Sequence, residues 1–223
     1  MNVYIGYDSR EAICYDTCRT SIEQKMSRPV PIAKLSLDNI KSIYNRVTDV
    51  NAATEFAYSR FLVPYLCNFT GWAVFCDCDF IFLDDIYNLL SHADPTKAVI
   101  VCKHDYIPTN TVKMDGQKQT TYPRKNWSSL ILWNCSHPSN KMLSPETINT
   151  QTGKYLHRFE WLDDEEIGNL PVVWNWLVGW YKEPRDGQPK ALHYTEGGPW
   201  FENYKNCEYS EVWNKHYEMC CRR

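Results

Sequence analysis

The chain has 223 residues and a mass of 26.3 kDa, and its 24 basic and 27 acidic side chains give a formal charge of -3 at pH 7. This near balance argues against a dedicated nucleic-acid-binding protein, which would show a basic excess. Hydrophobic residues at 43% and charged residues at 23% exclude a disordered chain. The length predicts one domain whose core needs neither disulfides nor a metal. Aromatic residues, at 14%, suit both core packing and the binding of sugars or bases.

The amino-terminal segment and the cysteines favour a reducing compartment. The first residues, MNVYIGYDSREA, lack the basic and long apolar regions of a signal peptide, and no apolar stretch has the length of a membrane span. Most of the ten cysteines lie in apolar stretches, as buried free thiols do. We therefore expect a cytoplasmic protein without a disulfide framework.

Apolar runs and helical periodicity predict alternating strands and helices in the first half of the chain. Val3 to Gly6 is predicted as a strand, and Ser9 as the cap of a helix with apolar residues every four positions. A helix is also predicted from Thr54 to Leu66, and another near Ile86, capped by Asp84 or Asp85. The remaining strand candidates are Val30 to Leu37, Trp72 to Cys76, Phe80 to Leu83, Ala98 to Cys102 and Leu130 to Trp133.

The second half is less regular. Residues 103–127 are polar and contain prolines and a glycine, which indicates a long functional loop. Val172 to Val178 and Lys190 to Tyr194 are predicted as late strands, and Glu208 to Met219 as a closing helix. This order predicts an α/β protein: a mixed sheet covered by helices on both faces, with ligands at the carboxyl ends of its strands.

The segment WAVFCDCDFIFLDDI, residues 72–86, carries the main chemical prediction. Asp77 and Asp79 follow one apolar run and precede another, so strand alternation predicts that both carboxylates point the same way. Because no basic residue stands beside them, they would repel one another unless a cation lies between them. Oxygen ligands select ions such as Mg²⁺ or Mn²⁺ that bridge to phosphates. The alternative is a solvated turn.

This motif resembles that of the nucleotide-sugar glycosyltransferases with the GT-A fold, in particular the family-8 type, and the chain is similar to small viral and bacterial domains of that kind. The resemblance covers nearly the whole chain. It implies a three-layer α/β/α sandwich with a mainly parallel central sheet, a nucleotide-binding part over about residues 1–103 and a donor-sugar and acceptor part over about 104–223. It also places Asp77 and Cys78 beside the nucleotide.

Two further segments match the family in its amino-terminal part. Tyr7 and Asp8 end the first strand, where the family's uridine-binding loop lies, so Tyr7 is implied to stack on the base and Asp8 to accept a hydrogen bond from it. Packing in the core is the alternative for Tyr7. Arg60, in the sequence AYSR, matches an arginine that forks onto the pyrophosphate or braces the acidic cluster. Its alternative is a surface salt bridge.

The segment LHYTEGGPW, residues 192–200, resembles the family's histidine motif. The resemblance implies that His193 is the third metal ligand, through a neutral ring nitrogen. Gly197 and Gly198 would let the backbone approach a phosphate, with Trp200 near the nucleotide or sugar. Gly198 replaces the family's diphosphate-binding lysine. Candidates for the missing positive charge are Arg60, Lys103, Arg124 and Lys125.

Two more segments concern the sugar. In NWSSLILWNC the family's Asn-x-Gly is replaced, and the resemblance implies that Trp127 stacks on a sugar and Ser128 contacts donor hydroxyls. In FEWLDDEEIGNLPVVWN it implies that Asp163 or Asp164 is the carboxylate beside the anomeric carbon. Acidic residues favoured at a helix start are the alternative there.

The function implied is metal-dependent transfer of a sugar from a UDP-sugar to a hydroxyl of a glycan or glycoprotein, with retention of anomeric configuration. Mn²⁺ or Mg²⁺ would be the cofactor. The alternatives are a nucleotidyltransferase of similar fold, although IGYDSREAICYD lacks its Gly-rich basic loop, and a non-catalytic carbohydrate-binding module, which would leave the two aspartates and His193 without a purpose.

Overall fold

The computed structural model describes residues 1–46, 54–105, 123–182 and 187–222. The strands in these ranges are β1 (Asn2–Gly6), β2 (Ile32–Leu35), β3 (Trp72–Cys76), β4 (Phe80–Phe82), β5 (Val99–Val101), β6 (Leu130–Asn134), β7 (Ile167–Asn169), β8 (Trp176–Leu177) and β9 (Ala191–His193). The α-helices are α1 (Ala12–Lys25), α2 (Leu37–Ile40), α3 (Val63–Leu66), α4 (Pro145–Thr150), α5 (Gly153–His157) and α6 (Ser210–Cys221).

The strands form a six-stranded sheet in the order β2-β1-β3-β6-β5-β7 and a three-stranded sheet in the order β4-β9-β8. In the larger sheet β6 runs antiparallel to both of its neighbours, and every other pairing is parallel. The predicted mixed, mainly parallel sheet is therefore confirmed. Because β1 and β3 are parallel neighbours, the residues that follow them meet at one edge.

Burial explains why these short runs are strands. All five residues of β6 are buried, as are Ala73 to Cys76 in β3, because both faces of the sheet are covered. Helix α1 packs against β1, β4 and α6, while α3 packs against β3 and β6. The layers of helix, sheet and helix agree with the predicted architecture. The predicted division near residue 103 stays a prediction.

Three local predictions were wrong. Residues 54–66 do not form one helix: turns lead into a 3₁₀ helix at Ser59–Leu62 and then α3, because Pro64 lacks the N–H of a helix interior and suits a first turn. Residues 172–178 split into a 3₁₀ turn at Val172–Trp174 and the short β8. Asp8, not Ser9, caps the first helical turn, its carboxylate accepting from the N–H of Arg10 at 3.0 Å.

The other predicted elements lie close to their predicted bounds, whereas α2, α4, α5 and β7 were not predicted. Asp85 caps a 3₁₀ helix at Ile86–His92, and all ten cysteines are free thiols. Of the predicted loop 103–127, residues 106–122 lie outside the described residues. Among the helices in the described part of the chain, none has both the length and the apolar character needed to cross a bilayer.

Candidate metal and nucleotide site

Asp77, Asp79 and His193 converge beyond the carboxyl end of β3. Each offers one ligand atom, and these atoms all lie within 4.8 Å of one another. Nε2 of His193 is 3.4 Å from a carboxylate oxygen of Asp79. The His193 ring is buried, and both carboxylates are mostly shielded from solvent. Two carboxylates and one imidazole in this arrangement fit a divalent cation such as Mn²⁺.

The carboxylates converge for a different reason from the one predicted. Residues 77–79 form a tight turn that links β3 of the larger sheet to β4 of the smaller one, so strand alternation does not apply to them. The Asp77 N–H donates to the carbonyl of Ser129 at 2.9 Å, and the Asp79 carbonyl accepts from the N–H of Tyr194 at 3.0 Å. The turn is thus fixed between the two sheets.

The smaller sheet sets the position of His193. Strand β9 pairs with β4 so that His193 lies opposite Phe80, and the two rings stack with centroids 4.3 Å apart. Nδ1 of His193 is 2.9 Å from Oδ1 of Asn175. The Asn175 amide nitrogen donates to Oγ of Ser129 at 2.9 Å. Because Nδ1 is hydrogen-bonded to an acceptor, Nε2 carries the lone pair that faces the aspartates.

We expect Asn175→Ala to weaken Mn²⁺ binding by about 10–100-fold, because His193 would lose the partner that fixes its tautomer and orientation. Calorimetric titration with Mn²⁺ measures the change. The matched control is Asn140→Ala, since Asn140 is also buried but bonds the carbonyls of Ala98 and Asn134, away from the metal site. Equal loss of metal affinity in both variants would contradict the positioning role.

Arg60 is buried beside the acidic cluster, so its surface-salt-bridge alternative is excluded. Its Nη1 donates to Asp77 at 2.7 Å and to the Ser128 carbonyl at 2.9 Å, and its Nε donates to the Ala57 carbonyl at 3.1 Å. Its side chain is 6% exposed. This geometry supports the predicted role of bracing the acidic cluster.

Tyr7 and Asp8 lie at the end of β1, on the same sheet edge. Tyr7 is half-buried, packs edge-on against Tyr15 and has the Lys34 ammonium 4.5 Å from its ring centroid. The buried Asp8 carboxylate accepts from the Arg10 side chain at 2.6 and 2.9 Å. Burial raises the pKa of Asp8, but the hydrogen bonds from Arg10 outweigh it and lower the pKa. Asp8 thus acts as a local cap, and its contact with a base stays a prediction.

Ser128 and Cys78 make contacts within the protein. Oγ of Ser128 is 2.9 Å from Nδ1 of the half-buried His157, and a contact of this hydroxyl with donor hydroxyls stays a prediction. The Cys78 side chain lies in the core near Cys14, where burial raises its pKa well above the ordinary value. Cys78 therefore borders the site through its backbone.

Two histidines lie near the site, the buried His104 and the half-buried His157, and sequence reasoning singled out neither. His157 contacts Ser128 as above, while Nδ1 of His104 is 2.8 Å from the Tyr181 hydroxyl. Burial lowers the pKa of each to about 3, helped by the neighbouring Arg60 for His157 and His193 for His104. Both rings are therefore neutral at pH 7.

Their neutrality predicts a pH dependence of stability. Between the folded pKa of about 3 and the ordinary value of 6.5, these histidines bind protons in the unfolded chain but not in the folded chain. The free energy of unfolding therefore has its full value above pH 6.5 and decreases as the pH falls. Each histidine contributes a slope of up to about 1.4 kcal/mol per pH unit. Urea unfolding of the wild type and of His157→Gln from pH 4 to 7 measures how the free energy of unfolding changes with pH. The variant should show a smaller change, and an equal change in both proteins would contradict this account.

The glycine-rich segment serves packing as well as backbone approach. Gly197 has φ +134°, which favours glycine, and a Cβ on Gly198 would lie 2.0 Å from the Trp200 ring. Trp200 packs against Trp213 of α6 with ring centroids 5.4 Å apart. Tyr194 is fully buried, and its hydroxyl donates to the Tyr209 carbonyl. A nucleotide contact of Trp200 stays a prediction.

Asp163 and Asp164 are exposed and precede β7. Ile167, the first residue of β7, pairs with Val99 of β5. Val99 is in turn level, across β6, with Ala73 near the start of β3. Asp77, in contrast, follows the end of β3. The backbone of the two acids thus lies toward the end of the sheet opposite to the metal site, but the Asp164 carboxylate pairs with Arg124, which lies 5.5 Å from the Trp127 ring centroid. Their catalytic role stays a prediction.

The candidate cations other than Arg60 have partners of their own. Lys103 Nζ donates to the Ile167 carbonyl at 2.8 Å, and Arg124 pairs with Asp164. Lys125 is buried. Trp127, half-buried, donates from Nε1 to the His104 carbonyl, and Lys103 and Arg124 lie 5.7 and 5.5 Å from its ring centroid. These cations make the surroundings of Trp127 suited to an anionic ligand.

Comparison with known proteins gives a family and a fold. No protein-family model matches the chain. It is 50% identical over 217 residues to Protein CDI of Arabidopsis thaliana, covering 95% of this chain and 83% of that protein. Its structure resembles that of the galactosyltransferase LgtC in complex with donor and acceptor sugar analogs, with a TM-score of 0.62, 10% identity, and coverage of 98% of this chain and 96% of LgtC.

Two longer glycosyltransferases share the fold. The bifunctional glycosyltransferase WbbM matches with a TM-score of 0.61 and 18% identity over 97% of this chain and 49% of its own. GlyE of Streptococcus pneumoniae matches with a TM-score of 0.61 and 14% identity over 99% and 62%. The chain thus spans about half of WbbM and less than two thirds of GlyE. At these identities the likeness shows the fold, whereas the plant relative shows the family.

Proposed function

Because the chain belongs to the family of Arabidopsis Protein CDI and has the GT-A fold of glycosyltransferases, we propose that it is a metal-dependent glycosyltransferase. It moves a sugar from a UDP-sugar to a hydroxyl of a glycan or glycoprotein acceptor, with retention of the anomeric configuration. LgtC, of the same fold, is a galactosyltransferase whose structure holds donor and acceptor sugar analogs.

The observation that carries the proposal is the convergence of Asp77, Asp79 and His193 within 4.8 Å at the carboxyl edge of the sheet. Sheets of this kind bind ligands at that edge. The donor set of two oxygens and one imidazole nitrogen fits Mn²⁺ better than Mg²⁺, which prefers oxygen ligands and keeps several waters. A divalent ion held by these residues would supply positive charge to the diphosphate leaving group.

The chain's own residues hold this arrangement in place. Arg60 neutralises Asp77 and ties it to the Ser128 carbonyl, while Asn175 directs Nε2 of His193 toward the aspartates. Such preorganised charges lose no energy to reorganisation when the diphosphate leaves. Tyr7, half-buried at the end of β1, offers the aromatic surface for uracil, and the backbone of Gly197 and Gly198 approaches the phosphates.

Positively charged side chains around Trp127 extend the site to a region where a sugar could bind. Lys103 and Arg124 lie within 6 Å of its ring, beside the neutral and buried His104. We assign the donor sugar and acceptor to this region, where the aromatic ring can stack on a sugar face. Positioning both substrates here removes much of the entropic part of the barrier.

The test is release of UDP from a panel of UDP-sugars, measured with Mn²⁺ and with EDTA. We expect slow hydrolysis of one or a few donors with Mn²⁺, none with EDTA, and faster release when the right glycan acceptor is added. No release from any donor would contradict the glycosyltransferase proposal. Metal-dependent release of pyrophosphate from a nucleoside triphosphate would instead identify a nucleotidyltransferase.

A further inference from the structure

Two cations and one aromatic ring lie beside the candidate metal site, and we call Lys103, Arg124 and Trp127 together the Trp127 cluster. The Trp127 ring is half-buried, and its Nε1 donates to the His104 carbonyl at 3.1 Å, which fixes the orientation of the ring. Nζ of Lys103 lies 5.7 Å from the ring centroid, and the Arg124 guanidinium lies 5.5 Å from it. Two positive charges thus lie beside one aromatic ring.

The positive charge of this cluster is only partly neutralised within the described part of the chain. There, Nζ of Lys103 donates to the Ile167 carbonyl at 2.8 Å and forms no ion pair. Burial lowers the pKa of Lys103; Asp164 opposes this effect, and Arg124 adds to it. A further anion at this position would therefore stabilise the charged form of Lys103.

A carboxylate of the chain itself shows which chemical group the cluster accepts. Arg124 pairs with Asp164, whose side chain is 80% exposed, whereas that of Arg124 is 22% exposed. An ion pair with one partner so exposed contributes little to stability, so a competing carboxylate can displace Asp164 into solvent. Nη1 of Arg124 also donates to the Arg158 carbonyl, which holds the guanidinium in place when Asp164 leaves.

The position of the cluster suits the acceptor of the proposed reaction. Trp127 adjoins the metal site, because Ser129, two residues further on, accepts at its carbonyl from the Asp77 N–H at 2.9 Å. The Lys103 ammonium reaches away from that site, to Ile167 at the start of β7. The cluster thus extends from the place where the metal and the sugar donor would meet to a neighbouring surface, where a second substrate would bind.

We propose that the Trp127 cluster binds a carboxylate of an acidic glycan, so that the acceptor contains uronic acid. Lys103 and Arg124 hold the carboxylate through charge-assisted hydrogen bonds, Trp127 packs against the sugar ring, and Asp164 is displaced. The acceptor role rests on the proposed glycosyltransferase function, whereas the binding of the carboxylate does not.

The test is calorimetric titration of the chain, without metal or UDP-sugar, with trigalacturonic acid and with its methyl ester. The ester keeps the sugar rings and lacks the negative charges. We expect the acid to bind about tenfold more tightly than the ester at low salt, as hydrogen bonds between charged groups predict, and the difference to decrease as salt is added. Equal affinity for the two, or no binding of either, would overturn the proposal.

Two variants should lose the preference for the acid. Lys103→Gln and Arg124→Gln remove one charge each, so we expect about tenfold weaker binding of the acid and unchanged binding of the ester. The matched control is Lys97→Gln, because Nζ of Lys97 also donates to a carbonyl, that of Glu165 at 2.7 Å, but does not pair with the Trp127 ring in the described part of the chain. An equal loss in this control would indicate a general effect of positive charge and contradict the assignment.

Asp164→Asn should have the opposite effect. It removes the competing carboxylate from Arg124, so trigalacturonic acid should bind more tightly than it does to the wild type, a gain that misfolding cannot produce. The control is Glu165→Gln, which removes the same charge from the neighbouring exposed residue, one without an ion pair in the described part of the chain. Equal gains in both variants, or a loss in Asp164→Asn, would show that Asp164 does not compete for the cluster.

The outcomes separate this inference from the proposed function. Absence of UDP release from every donor would contradict the glycosyltransferase and leave the carboxylate site intact. UDP release by a chain that binds acid and ester equally would contradict this inference alone. If Lys103→Gln weakened the binding of UDP-glucuronate in the presence of Mn²⁺ but not that of trigalacturonic acid, the cluster would belong to the donor, and the assignment to the acceptor would be wrong.

Discussion

Replacing Asp79 with asparagine is expected to lower Mn²⁺ affinity by about 100-fold or more, since loss of a direct ligand exceeds the 10–100-fold cost of losing an outer partner. The carboxylate supplies one of three ligand atoms that lie within 4.8 Å of one another, and asparagine keeps its size while removing its charge. Metal-dependent UDP binding should be lost with the metal. Calorimetry with Mn²⁺, and with UDP at saturating Mn²⁺, measures both effects.

The control for Asp79 is Asp84→Asn. Asp84 follows the same β4 strand but pairs with Lys190 at 2.8 Å, outside the triad. That variant should bind Mn²⁺ and UDP like the wild type. Unchanged UDP binding in Asp79→Asn would contradict the metal assignment. Equal losses of Mn²⁺ and UDP affinity in both variants would indicate a general effect of charge.

Replacing Arg60 with methionine is expected to give the largest loss of stability, about 3–5 kcal/mol, because it leaves the shielded carboxylate of Asp77 without its guanidinium partner. The Ser128 and Ala57 carbonyls lose a donor at the same time. Mn²⁺ should restore part of the loss, since a cation bound at Asp77 replaces the missing charge; ligand at 100 times its Kd adds about 2.7 kcal/mol.

Urea unfolding of the Arg60→Met variant with and without Mn²⁺ tests this interpretation. The control is Arg19→Met, whose exposed pair with Glu23 should contribute about 0.5 kcal/mol or less. We expect Mn²⁺ to stabilise Arg60→Met more than the wild type, in which Arg60 already neutralises Asp77. Equal stabilisation of the two by Mn²⁺ would show that Arg60 and the metal do not act on the same carboxylate.

The sequence predicted five of the six strands of the larger sheet, all but β7, because these strands are short, apolar and bounded by polar residues. Trp72–Cys76 was predicted to the residue, and β6 extends the predicted strand by Asn134 alone. The prediction of one helix over residues 54–66 was wrong because it rested on apolar spacing and did not take Pro64 into account. Pro64 restarts the helix at Val63, and the preceding turns bring Arg60 to the acidic cluster.

The candidate metal ligands and Arg60 were predicted, but Asn175, which orients His193, was not. Asp77 and Asp79 share one short motif, and His193 was found by resemblance. Asn175 bonds His193 from 18 residues away, and His157 bonds Ser128 from 29 residues away. Such contacts depend on how the two sheets are placed. Asn175 ends the segment VVWN, which follows Leu-Pro. A polar residue within this late apolar run was the one sequence signal that could have indicated its role.

The central claim is that this sheet edge binds a metal ion and a nucleoside diphosphate together. The most direct test is a crystal structure grown with Mn²⁺ and UDP, with anomalous diffraction measured at the manganese absorption edge. We predict one strong anomalous peak in contact with Asp77, Asp79 and Nε2 of His193, and with both phosphates of UDP. Manganese bound elsewhere, or UDP bound at the edge without manganese, would contradict the account.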